Sequence, residues 1–124
     1  MILTKYNWIL QCIIILEIEI IIYYIIKMDI VISKSENKNK KYKAVIDGRK
    51  TIHFGHSSYD DFTTHNDSKR RDNYIARTSK QDHSKQNIAS PAWMSRFILW
   101  EKPTLKGAVE SANKKYKDIN IKLK

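Results

Sequence analysis

The chain has 124 residues, with 23 Lys+Arg against 13 Asp+Glu, a formal net charge of +10 and a single cysteine. That length allows one small domain with a modest core. One cysteine, Cys12, excludes an internal disulfide framework, and three glycines leave no glycine-rich phosphate loop. The first 27 residues hold Lys5, Lys27, Glu17 and Glu19 and cancel, so the whole excess lies after them. A positive excess of this size points to an anionic partner: nucleic acid, anionic lipid or an acidic protein.

Residues 1–27 read as an apolar leader, and 9–26 run ILQCIIILEIEIIIYYII. Three readings compete. A transmembrane helix needs roughly 20 apolar residues, and the stretch from Trp8 and Ile9 to Ile26 just reaches that length. Glu17 and Glu19 sit near its middle. Each costs about 2.5–3.5 kcal/mol on insertion, while each isoleucine returns about 0.3–0.6 kcal/mol. Ten isoleucines against two glutamates therefore nearly balance. Tyr6, Trp8, Tyr23 and Tyr24 are spaced like interfacial anchors, and Lys27 with the basic run beyond it would hold the C-terminal side in the cytosol. A signal peptide fits less well, because the basic n-region is thin and no small-residue cleavage site follows. The third reading is a leader that is not natively used, with Met28 as an internal start. The IEIEI pattern has strand rather than helix period, and such a stretch aggregates if exposed.

Residues 28–41 read as a charged linker, with SKSENKNKK at 33–41 free of apolar residues and expected to be mobile. A basic domain follows over 42–117. Tyr42, Ala44 and Ile46 alternate with Lys43, Val45 and Asp47, and Asp47-Gly48 predicts a type I′ hairpin turn. Ile52 and Phe54 share a face of the returning strand, which ends at Gly55. Ser58 caps a short turn carrying Tyr59 and Phe62. Asp67 is placed to N-cap a helix over 68–79. Residues 80–90 read as polar loop. Ser90-Pro91 is a cap followed by proline at the first helical position, opening a helix whose Trp93, Phe97 and Trp100 form a core stripe. Pro103 stops it. Thr104 caps a last helix with Leu105, Ala108, Val109, Ala112 and Tyr116 on one side. Residues 118–124 read as a frayed tail. The expected fold is α+β, a β-hairpin with room for a third strand, packed on two or three helices.

Three segments carry a resemblance: His53-Phe54-Gly55, then DFTTHNDSKRRDNYIAR at 61–77, then Trp93, Arg96, Ile98, Leu99 and Trp100 with KPTLK beyond. Together they resemble an uncharacterised family of small basic proteins of giant nucleocytoplasmic DNA viruses of the mimivirus and phycodnavirus type. The resemblance covers about residues 42–116 and implies a large DNA virus as source. It implies no activity, and no functional residue is carried over from it.

The basic helix is the strongest candidate site. Lys69, Arg70, Arg71, Arg77 and Lys80 lie within twelve residues around Tyr74, and Arg70, Tyr74 and Arg77 fall on one face. Guanidinium groups fork to phosphate oxygens, and an aromatic ring among them can stack on a base. The opposing reading is a solvated face whose arginines pair with Asp61, Asp67 and Asp72. Lysines 34, 38, 40, 41 and 43 add a basic arm. His53, His56 and His65 with Asp60 and Asp61 form only a weak metal pattern, because strand positions i and i+3 face opposite ways. No spacing matches a nuclease or a nucleophile–base pair. With the viral source that the resemblance implies, the expectation is a non-enzymatic viral accessory or virion protein, without cofactor, that binds nucleic acid non-specifically through its phosphates. It would reside in the virion or the host cytoplasm. The alternative is a membrane-tethered structural protein, anchored through residues 9–26, whose basic domain contacts acidic protein or lipid.

Overall fold

A computed structural model describes residues 3–81, 83 and 87–124; for residues 3–6 and 23–26 only the backbone is described. The chain is α+β, with a four-stranded mixed sheet. The sheet has the order β3-β2-β1-β4, with β1 Met28–Lys34, β2 Lys40–Ile46, β3 Lys50–His56 and β4 Ile119–Leu123. β2 runs antiparallel to both β1 and β3, and β4 runs parallel to β1.

The expected linker over 28–41 is corrected here: Met28–Lys34 is an inner strand. Its alternation puts Ile30 and Ile32 in the core, each at most 1% exposed, and Val31 and Ser33 on the other face. Complete burial of two such side chains stabilises by about 1.5–3 kcal/mol each. The frayed tail is also corrected. Residues 119–123 pair with β1, from Met28 opposite Ile119 to Ile32 opposite Leu123, and bury Ile119 and Ile121. The outer edge of β4 is capped by Asn113, whose amide accepts from Ile121 N at 2.8 Å and donates to Ile121 O at 3.0 Å. One side chain thereby does what another strand would do for an edge.

The hairpin forms where Asp47-Gly48 places it. Asp47 and Gly48 have φ of 52° and 67°, as a type I′ turn requires, and Arg49 N reaches Ile46 O at 3.0 Å. Ladder pairing resumes with Ile46 opposite Lys50, so Arg49 is an extra residue beside the turn.

The residues 9–26 are helical, within α1 Leu3–Ile26, rather than following the strand period of IEIEI. The described side chains of α1 are exposed apart from the partly covered Cys12, with Trp8 at 67% and Ile9 at 43%. The side chain of Ile26 lies outside the described residues. Among the described residues no helix is long and apolar enough to cross a membrane.

Among the described residues four helical segments of known extent follow β3. Asp61, not Ser58, caps α2 Phe62–His65, and Asn66 closes it with φ of 55°. Asp67 caps α3 Ser68–Arg77, accepting from the N–H groups of Lys69 and Arg70. Ser90 caps α4 Pro91–Met94, which widens into a π-helical turn over Ser95–Leu99. Thr104 caps α5 Leu105–Lys115. The α4–π segment lies on β3, and α5 lies on the π turn and β4. Trp93, Met94 and Ile98 are fully buried against Phe54, Ile30, Ile32 and Ile119. Residues 82 and 84–86 of the predicted loop lie outside the described residues.

Removing apolar atoms from β4 tests its place in the core. Ile121→Ala is expected to lower unfolding free energy by about 2–5 kcal/mol, the usual cost of emptying a buried isoleucine site, measured by urea denaturation. A frayed tail would give no change.

Candidate nucleic-acid interface

α3 contributes no fully buried side chain. It is held by contacts with residues 100 and 101, beyond the π turn. The Tyr74 and Trp100 rings stack with centroids 4.2 Å apart and planes 4° from parallel. Arg71 Nε donates to Trp100 O at 2.8 Å and to Glu101 O at 3.2 Å, and its Nη2 lies 3.4 Å from Glu101 Oε2. Arg96 hydrogen-bonds and ion-pairs with the same carboxylate oxygen. Burial pushes the Glu101 carboxyl up. The hydrogen bond from Arg96 and the charges of Arg96, Arg71 and Lys115 outweigh it, so its pKa is lowered overall.

The six predicted binding residues therefore divide. Arg71 turns inward, as the opposing reading held, though toward Glu101 and backbone carbonyls; Asp72 is only a distant 3.7 Å partner. Lys69 and Lys80 are exposed. Arg70, Tyr74 and Arg77 come together along one wall of a cleft of about 720 Å³. Arg70 and Arg77 have no carboxylate partner among the described residues. Tyr74 is not an open platform: Trp100 stacks on it, and the Arg77 guanidinium carbon lies 5.8 Å from its ring centroid. Burial raises its phenol pKa.

The opposite wall is the segment leaving β3, with Gly55, His56, Tyr59, Asp60 and Asp61; Ser95, Leu99 and Trp100 come from the π turn and its end. The π geometry matters locally, because such widened turns recur at functional sites. Lys41 also lines the cleft, but its charge is used. Lys41 Nζ lies 2.6 Å from Asp61 Oδ2, and the Asp61 side chain is 4% exposed. Asp61 further accepts from Thr63 N at 2.9 Å and from the Thr63 hydroxyl. With that pair closed, the cleft's open charges are Arg70 and Arg77 against Asp60, a net positive balance suited to a phosphate.

Gly55 shapes the cleft. Its φ is +77°, and a Cβ there would meet Leu99 Cδ1 at 2.8 Å, so strand and π turn touch through a position that only glycine fills without strain. The histidines diverge. His53 Nδ1 bonds Ser35 Oγ at 2.7 Å, His56 packs on Tyr59, and His65 accepts from Asp67 N at 2.9 Å while its ring lies on Trp100. Among the described residues no three His, Cys, Asp or Glu are placed to hold a metal ion. The expected basic arm is corrected too: Lys34 belongs to β1 and Lys40, Lys41 and Lys43 to β2, with Lys41 paired to Asp61 and Lys43 to Glu36.

Three outcomes follow from this geometry. Gly55→Ala is expected to cost about 2–4 kcal/mol in chemical denaturation, combining left-handed backbone strain with the Leu99 clash. Gly48→Ala, with nothing within 4 Å of its added Cβ, should cost only the strain of about 1–2 kcal/mol. Glu101 has a folded pKa below its ordinary 4.5. Its stabilisation is complete above that value and is lost as pH falls through the lowered one. Glu101→Gln should cost about 1.5–3 kcal/mol at pH 7 and flatten the acid limb of a stability–pH curve.

A model of a family of unknown function (DUF5754) matches residues 30–78. That span runs from β1 through α3 and includes Lys41, the β3 exit, Arg70, Tyr74 and Arg77, while Ser95, Leu99 and Trp100 lie beyond it. No curated protein and no solved structure matches the chain.

Proposed function

We propose that this is a non-enzymatic nucleic-acid-binding protein, a viral accessory or virion component, that grips phosphates without reading sequence. The observation that carries the reading is the pair Arg70 and Arg77, which share one cleft wall and have no carboxylate partner among the described residues. Lys69 on α3 and Lys80 in the turn beyond it add exposed positive charge, and the net charge of +10 supplies long-range attraction. Arg71 is excluded from contact because its guanidinium holds α3 to residues 100 and 101. The resemblance in three segments to giant-virus proteins supports a viral source, in the virion or host cytoplasm.

A second reading rests on α1. Its exposed side chains include Trp8, Ile9, Ile13, Leu16, Ile18 and Ile21, an apolar surface that water solvates poorly. A membrane association through this helix would place the basic domain against anionic lipid or acidic protein. Retention of the full chain in the membrane pellet after alkaline-carbonate extraction supports it, and release into the supernatant rejects it.

The main reading is tested by titrating the full chain, in nonionic detergent, onto random-sequence DNA at several salt concentrations. Each phosphate contact contributes about −0.9 to the slope of log Kobs against log salt. Arg70→Glu with Arg77→Glu is expected to flatten that slope by about two contacts and weaken binding at least tenfold. Arg71→Glu should instead lower stability by about 1.5–3 kcal/mol. Binding unchanged by the double reversal rejects the cleft.

A further inference from the structure

Tyr59 is the large apolar side chain most exposed on the body of the domain, at 71%. It stands on the cleft wall facing α3, within the same cavity as Arg70 and Arg77. It is not a loose side chain. Its N–H donates to His56 O at 3.2 Å, and its ring packs on the His56 ring with centroids 4.9 Å apart. The His56 ring is itself fixed, with Nδ1 accepting from Ser58 N at 3.1 Å. The two tyrosines of the cleft therefore have opposite states. Tyr74 is taken up by Trp100 and Arg77, while Tyr59 is braced from one side and open to water.

We infer that the cleft takes single-stranded nucleic acid in preference to duplex, with Tyr59 as the platform on which a base stacks while Arg70 and Arg77 hold the flanking phosphates. This deepens the phosphate-binding reading and rests on it. A duplex keeps its base faces stacked inside and offers only grooves and phosphates, so it cannot give Tyr59 a base face while Arg70 and Arg77 hold its phosphates. A single strand presents base faces and backbone side by side, and every base has a face to stack, which suits binding without sequence preference. The cleft volume of about 720 Å³ falls within the range of about 300–1,000 Å³ that encloses compact ligands. That is room for a nucleotide and its neighbours. Asp60 on the same wall opposes additional phosphate there and leaves the Tyr59 side to the base.

The test is fluorescence anisotropy with the full chain in nonionic detergent. The probes are a labelled 15-nucleotide oligothymidine, a labelled 15-base-pair duplex of mixed sequence, and inorganic polyphosphate as competitor. The strand should bind about tenfold or more tightly than the duplex. Tyr59→Ala should remove about tenfold from strand affinity, as loss of one stacked base does, and leave duplex affinity unchanged. Tyr59→Phe should restore strand binding, and as an exposed residue its substitution should leave thermal unfolding in place. Equal binding of strand and duplex, or strand affinity unmoved by Tyr59→Ala, overturns the inference and leaves the phosphate-binding reading standing. Failure of both nucleic acids to bind, or their complete displacement by polyphosphate at equal phosphate concentration with no Tyr59 dependence, overturns the base platform. In the first of those cases the underlying reading falls as well.

Discussion

The docking of α3 onto residues 100 and 101 is the constraint on which the proposed interface depends. A ten-residue helix with no buried side chain is marginal by itself in water. Here one stacked ring pair and one guanidinium fix its rotation. The Tyr74–Trp100 stack sets which face of α3 turns toward the body. The Arg71 side chain then locks that face by donating to two backbone carbonyls and meeting Glu101. With the rotation fixed, Arg70 and Arg77 are carried to the cleft and Lys69 to solvent. A cation in an otherwise similar run thus serves structure, and its neighbours are left for a ligand.

The sheet supplies the other wall. Because β1 and β4 fill the sheet's side away from the hairpin, β3 is an edge strand, and the chain leaves it through Gly55 into the His56–Asp61 turn. Gly55 lets the π turn approach within contact of the strand. Asp61 spends its carboxylate on Lys41 and on the start of α2. Lys41 and Asp61 line the cleft with their charges paired to each other, whereas Arg70 and Arg77 line it with no carboxylate partner among the described residues. The cleft is thereby a consequence of packing at one edge and needs no separate scaffold.

Much of this was legible locally. Asp47-Gly48, Asp67, Ser90-Pro91 and Thr104 act through their own few neighbours, and the turn and three caps form where those residues stand. β1 and β4 escaped because each gains its meaning from a partner far away in sequence: Met28 pairs with Ile119. The alternation of Ile30 with Ile32 and of Ile119 with Ile121 was present, but the polar residues around both segments masked it. At the site, helical spacing correctly grouped Arg70, Tyr74 and Arg77 on one face. It could not separate Arg71 from them in role, because that depends on carbonyls 29 and 30 residues away. Nor could it bring Tyr59 into the same cleft as Arg70 and Arg77, because its sequence mark is an aromatic among polar residues four positions after Gly55.

Arg70, Arg71 and Arg77 differ in what their individual guanidinium groups meet, and nitrogen-15 NMR of arginine Nε–H signals observes them one by one. In the free chain the Arg71 signal should be protected from solvent exchange by its two carbonyl partners, and those of Arg70 and Arg77 should exchange fast. On addition of an oligonucleotide, Arg70 and Arg77 should shift and become protected while Arg71 stays in place. A shift of Arg71 with Arg70 and Arg77 unmoved would contradict the account.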